Sequence, residues 1–116
     1  MQIQVQKQLV NKFRRVLGLI PEENWCVDRF TDLNDNIKHC VLGHLGTSNC
    51  FVLSQESVDL IDLFHEYYYH PARVNNGRES QFQQNTPKTR ILAALDYIEK
   101  QIEEKYEKCS NQQTVS

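Results

Sequence analysis

The stretch HCVLGHLG, residues 39–46, brings two histidines, a cysteine and two glycines together, and no other part of the chain has chemical groups so dense. His44 follows Cys40 by four residues, so on a helix the two side chains share a face. They would form half of a zinc site, with Cys26 or Cys50 completing a tetrahedral set. Strong zinc signatures pair their ligands through short loops at both ends. Here Cys26 and Cys50 stand singly, and none of the four cysteines forms a C-x-x-C pair. The expectation is no cofactor, with zinc as the minor alternative and Cys40 and Cys50 as small buried hydrophobes.

The same cysteine offers a second chemistry. Cys40 in the first turn of a helix would have a lowered pKa, because helix N–H groups stabilise a thiolate. His65 or His70 could serve as its base, and Asn75 or Asn76 could orient that base. The candidate catalytic set is Cys40, His65 and Asn76. No flanking signature supports it, so the reading leans away from an enzyme. Packing beneath Trp25 is the plainer role for Cys40.

The aromatic run FHEYYYH, residues 64–70, points to binding. Three consecutive tyrosines span most of a helix circumference, so they cannot all face a core. Phe64 and Tyr68 continue an apolar stripe, which leaves Tyr67 and Tyr69 for the surface beside His65, His70 and Arg73. Exposed tyrosine with arginine is the composition of a protein-binding hot spot. The polar segment 72–85 adds Arg73, Asn75, Asn76 and Arg78 around an Asn-Asn-Gly turn signal. The expected binding surface is Tyr67, Tyr69, His70, Arg73, Asn75, Asn76 and Arg78. Neither a Walker pattern nor G-x-G-x-x-G is present.

The elements that must hold these residues are helical. Leu9, Val10, Phe13, Val16 and Leu17 line one face of an N-terminal helix that Gly18 and Pro21 end. A connector with turn chemistry at Asn34, Asp35 and Asn36 follows, with Trp25 and Phe30 as core anchors. HCVLGHLG forms a short helix closed by Gly46. Ser54 caps a helix bearing Val58, Leu60, Ile61, Phe64 and Tyr68, which runs to about Tyr69 before Pro71. Thr86 and Pro87 start a last helix striped by Ile91, Leu92, Leu95, Ile98, Ile102 and Tyr106. The fold class is mainly α: a small single-domain bundle of three to four helices, with a long polar loop before the last. The domain is expected over 1–108, and 109–116 as a disordered polar tail.

Bulk composition excludes several classes. A length of 116 residues suits one domain with its own core. A net charge of −2 is too balanced for generic nucleic-acid binding, so no nucleic-acid partner is expected. The opening MQIQVQKQLV has no continuous apolar run, so the expectation is a cytoplasmic protein with reduced thiols and no membrane partner. A stripe that continues to Tyr106 suits a homodimer through the last helix.

The order of motifs resembles a family of short bacterial and phage proteins built on a domain of unknown function. In that family a tryptophan follows the first helix, and Cys-Ala-Leu-Gly opens the next. An Asn-Asp turn then precedes a threonine and a final helix. Trp25, CVLG (Cys40 to Gly43), Asn75-Asn76 and TRILAALD (Thr89 to Asp96) match, and together they span most of residues 9–102. Asn76 departs from the family's aspartate, and the loop after it is longer. The resemblance implies a fold and a phage or mobile-element accessory role, binding or inhibiting a host protein. The expected function is a small helical binding protein, with a Cys40 enzyme or a zinc-stabilised module as the alternatives.

Overall fold

In the computed structural model the backbone is described for residues 2–28, 38–47 and 54–115. Five α-helices lie within these: α1 (Ile3–Gly18), α2 (Val41–Thr47), α3 (Gln55–Glu66), α4 (Pro71–Asn75) and α5 (Pro87–Val115). A 3-10 turn, Glu22–Asn24, follows α1. The mainly helical class holds, with one helix more than the sequence suggests.

α1 and α5 form the long pair. Most of the expected stripes is buried, Leu9, Val10, Phe13 and Leu17 from α1 and Ile91, Leu95, Ile98 and Ile102 from α5, whereas Val16 and Tyr106 are exposed and Leu92 is half-buried. Ion pairs run along the seam, Lys7 with Glu103 at 3.8 Å and Arg14 with Asp96 at 2.9 Å and with Glu99. Rising numbers on α1 meet falling numbers on α5, so the two helices are antiparallel. Leu60, Leu63 and Phe64 of α3 and Val41 and Leu45 of α2 complete one core cluster with Trp25, Val74 and Phe82.

The helix starts follow local chemistry. Ser54 Oγ accepts from Ser57 N at 3.1 Å, and Thr86 Oγ1 accepts from Thr89 N at 3.2 Å. Pro87 occupies the first turn of α5, where its missing N–H costs nothing.

Two expectations are corrected. The long polar loop contains α4: Pro71 opens a helix instead of only ending one, and His70 caps it through Nδ1, which accepts from Ala72 N at 3.2 Å. Val74, Asn75 and Phe82 within this segment are buried. α3 stops at Glu66, short of Tyr69. α5 runs to Val115. Phe30, the Asn34–Asn36 turn and Cys50 lie outside the described residues.

Candidate functional site

The end of α3 carries the most exposed large hydrophobic side chain among the described residues, Tyr68. Tyr68 N donates to His65 O and Tyr69 N to Phe64 O, both at 3.0 Å. This 5→2 and 6→1 pairing is a Schellman closure, which requires a left-handed residue between the cap and the return strand of the chain. That residue is Tyr68, with φ of 68°. Glycine or asparagine ordinarily takes such a position, because a Cβ there crowds the following carbonyl at a cost of roughly 1–2 kcal/mol. The Tyr68 side chain gains no packing in return: it is 94% exposed.

The tyrosines flanking it are reversed from the sequence expectation. Tyr67 and Tyr69 are half-buried and pack against the core cluster. Lys105 Nζ sits 4.6 Å from the Tyr67 ring centre, a cation–π contact. Tyr69 forms an edge-to-face triangle with Phe82 and Tyr97, at centroid separations of 5.1, 5.8 and 6.0 Å. Its hydroxyl donates to Gln81 Oε1. Burial, then the neighbouring Tyr97 and Glu79, push the Tyr69 hydroxyl pKa up. Helical spacing from Leu60 through Phe64 to residue 68 puts Tyr68 inside only while the helix lasts. Pro71 disfavours helical backbone only at residue 70, so it does not account for the stop at Glu66, which the Schellman closure at Tyr68 makes.

His65 and His70 bracket the Tyr68 turn, their ring centres 5.3 Å apart and both side chains exposed. Arg73 is exposed beyond them and pairs with Glu79 at 2.8 Å, while its Nη2 donates to Arg78 O at 3.2 Å. Arg78 pairs with Asp28 at 3.1 Å. The corner from α3 to α4 therefore presents Tyr68, His65, His70 and Arg73 together.

Asn75, expected on the surface, is fully buried. Its Oδ1 accepts from Val41 N at 3.0 Å and its Nδ2 donates to Cys26 O at 2.9 Å. Asn76 Oδ1 accepts from Asn75 Nδ2 at 3.0 Å and from Asp28 N at 2.8 Å. Both asparagines hold the backbone, and Asn75 contributes no binding surface. Beneath them lies Arg90, a buried residue the sequence reading passed over. Its guanidinium donates to Val74 O, Asn75 O and Gln84 O at 2.7 to 3.3 Å, so it caps the C-terminal carbonyls of α4. Gly77 takes the left-handed turn position at φ of 72°, and a Cβ there would meet the Arg90 guanidinium at 3.4 Å, an ordinary contact, so the backbone conformation is what favours glycine. The spacing Arg90, Ala94, Ile98 was a readable sign of an inward-facing position.

The HCVLGHLG stretch is a packing element. Cys40, Val41 and Leu45 are buried. His44 Nε2 donates to Asn24 O at 2.9 Å, and its ring lies 4.6 Å from Trp25 and 5.2 Å from His39. Burial pushes the His44 pKa down to about 4, outweighing the carbonyl contact. Burial also pushes the Cys40 thiol up, opposite to the lowering expected of a nucleophile at a helix start. Of the candidate catalytic residues, Cys40 is buried, His65 is exposed against His70, and Asn76 is engaged with Asn75 and Asp28. Among the described residues no group of three or more histidines, cysteines, aspartates or glutamates is placed to hold a metal ion, and Cys50 falls outside them.

Among the described residues, no helix is long and apolar enough to cross a membrane. No family model, curated protein or solved structure matches the chain.

Proposed function

We propose that this is a cytoplasmic binding protein whose recognition surface is the α3–α4 corner, centred on Tyr68 and flanked by His65, His70 and Arg73. The observation that carries this reading is Tyr68 itself. A large aromatic ring stands almost wholly in solvent, 94% exposed, on a left-handed backbone where glycine would be more stable. Tyrosine and arginine anchor protein interfaces because they offer large area and hydrogen bonding at modest entropic cost. The resemblance to bacterial and phage proteins makes a host protein the partner we propose.

Tyr68→Gly separates a binding role from a folding one. The glycine variant relieves the left-handed strain, so it should fold with stability equal to or up to about 1 kcal/mol above the parent, measured by urea denaturation. The same variant should lose capture of the partner that a photo-crosslinking residue at position 68 labels in the native host. Unchanged capture by the variant, or no crosslink from position 68, would remove this corner from the function.

A further inference from the structure

Asn76 is the only asparagine in the chain that a glycine follows. That order suits intramolecular deamidation, because glycine has no Cβ to hinder attack by its own amide nitrogen. The nucleophile and the side-chain amide are covalent neighbours, so the reaction waits only on their alignment. Both residues are half-buried at the end of α4, and the folded turn acts on each reacting group.

Alignment comes first. Ring closure requires the asparagine Cβ and the following nitrogen to be eclipsed about the Cα–C bond. Asn76 has φ of −85° and ψ of 2°. That ψ eclipses Gly77 N with the Asn76 nitrogen instead, and leaves Cβ roughly a third of a turn away. The nucleophile is also occupied, for Gly77 N donates to Val74 O at 3.1 Å. A proton bonded to a carbonyl is harder to lose, and it is the deprotonated nitrogen that attacks. The amide is anchored: Asn76 Oδ1 accepts from Asp28 N at 2.8 Å and from Asn75 Nδ2 at 3.0 Å. Two donors on Oδ1 polarise the amide, which by itself favours attack. Alignment outweighs this, because a polarised carbonyl that the nitrogen cannot reach does not react. Neighbouring bonds lock the arrangement: Arg90 Nε donates to Val74 O at 3.3 Å, and Arg78 N to Arg73 O at 2.9 Å.

We propose that Asn76 is a self-modification site gated by the fold, deamidating through a succinimide with Gly77 when the end of α4 opens and protected while it is closed. In the open chain solvent hydroxide removes the Gly77 N–H proton. The nitrogen attacks Asn76 Cγ, the Cγ–Nδ2 bond breaks, and Nδ2 leaves as ammonia with a proton from water. Water then adds to either carbonyl of the ring and opens it to aspartate or isoaspartate. The net change is one water consumed and one ammonia released, with no oxidant or cofactor. The aspartate product keeps a side-chain oxygen for Asp28 N and Asn75 Nδ2. Isoaspartate instead carries Cβ into the main chain just before Gly77, which puts the Gly77 and Arg78 N–H groups out of register with Val74 O and Arg73 O. The turn thus keeps a permanent mark of chains that have opened at α4.

The test incubates the unmutated full-length chain at mildly alkaline pH, in native buffer and in guanidinium chloride. Peptide mapping that separates asparagine, aspartate and isoaspartate follows conversion at position 76. Conversion in denaturant should be concentrated at Asn76. In native buffer it should be slower by about tenfold or more, scaled by the fraction of time the turn is open. Gly77→Ala, compared in denaturant where its folding is irrelevant, should slow the conversion. Native conversion as fast as that in denaturant would overturn the gate. Conversion in denaturant that falls mainly on another asparagine, or that Gly77→Ala leaves unchanged, would overturn the site.

Discussion

At the residue scale the most consequential side chain is Asn75. Its amide accepts from the buried Val41 N and donates to the part-buried Cys26 O, and leaving a buried polar group unsatisfied costs about 1–3 kcal/mol. Asn75→Ala should lower unfolding free energy by about 2–4 kcal/mol in urea denaturation. Asn75→Asp should cost more at neutral pH, because a carboxylate can accept from Val41 N but must face Cys26 O without a proton to donate. A loss below about 0.5 kcal/mol in Asn75→Ala would mean the three segments meet without it. The Asn75-Asn76-Gly77 triplet reads correctly as a turn, yet composition cannot say which asparagine points inward. That depends on backbone groups contributed from residues 26, 28 and 41, far away in the sequence.

His44 carries a pH prediction at the same scale. Its folded pKa is near 4, against about 6.5 for an unperturbed imidazole. Between these values the unfolded chain binds a proton that the folded chain does not. Stability contributed at this site is therefore complete above pH 6.5 and falls as pH drops toward 4. With its partial exposure discounted, the loss is on the order of 1–2 kcal/mol. Comparing thermal unfolding at pH 7 and pH 4.5 in parent and His44→Gln should show a smaller acid loss in the variant. Equal slopes would assign the acid sensitivity to other groups.

At the scale of elements, periodicity and capping identified α1, α3 and α5 because each pairs a strong apolar stripe with a recognisable start or stop. Thr86→Ala should cost about 1 kcal/mol, read from the urea midpoint, since Thr86 Oγ1 takes the Thr89 N–H at the start of α5. Retained stability would show that the bond from Thr86 N to Thr89 Oγ1 suffices to start α5. α4 was not legible for a physical reason. At five residues it is too short to carry a periodic pattern, and tertiary contacts sustain it: Val74 in the core and Arg90 on its last carbonyls. The candidate binding corner depends on this hidden helix, because α4 turns the chain sharply after α3 and leaves Tyr68 at the outside of the bend. The tyrosine run was visible in the sequence; the ring that it exposes was decided by where α3 ends.

At the scale of the molecule, shape follows from α5. The radius of gyration is 15.3 Å, where a compact chain of this length would have about 13 Å, and the longest extent is 60 Å. Ile102 is the last buried residue of α5 among the described side chains; residues 103–107 are exposed, with Glu103 paired to Lys7 and Lys105 set against Glu66 and the Tyr67 ring. A helix gaining nothing from packing contributes little to global stability. Removing residues 109–116 should therefore shorten the maximum dimension in solution scattering by roughly 10 Å, from about 1.5 Å per helical residue. Its melting temperature should stay within about a degree of the parent, because Ile102 is the last buried residue of α5 among the described side chains. A stripe that continues to Tyr106 suits a homodimer through the last helix, and that arrangement gives different results. If a second copy packed on this projection, truncation would lower the melting temperature in a concentration-dependent way and halve the mass in sedimentation equilibrium. An unchanged mass together with an unchanged melting temperature would limit the work of α5 to residues 87–102, where it closes the core against α1 and supports the α3–α4 corner from beneath.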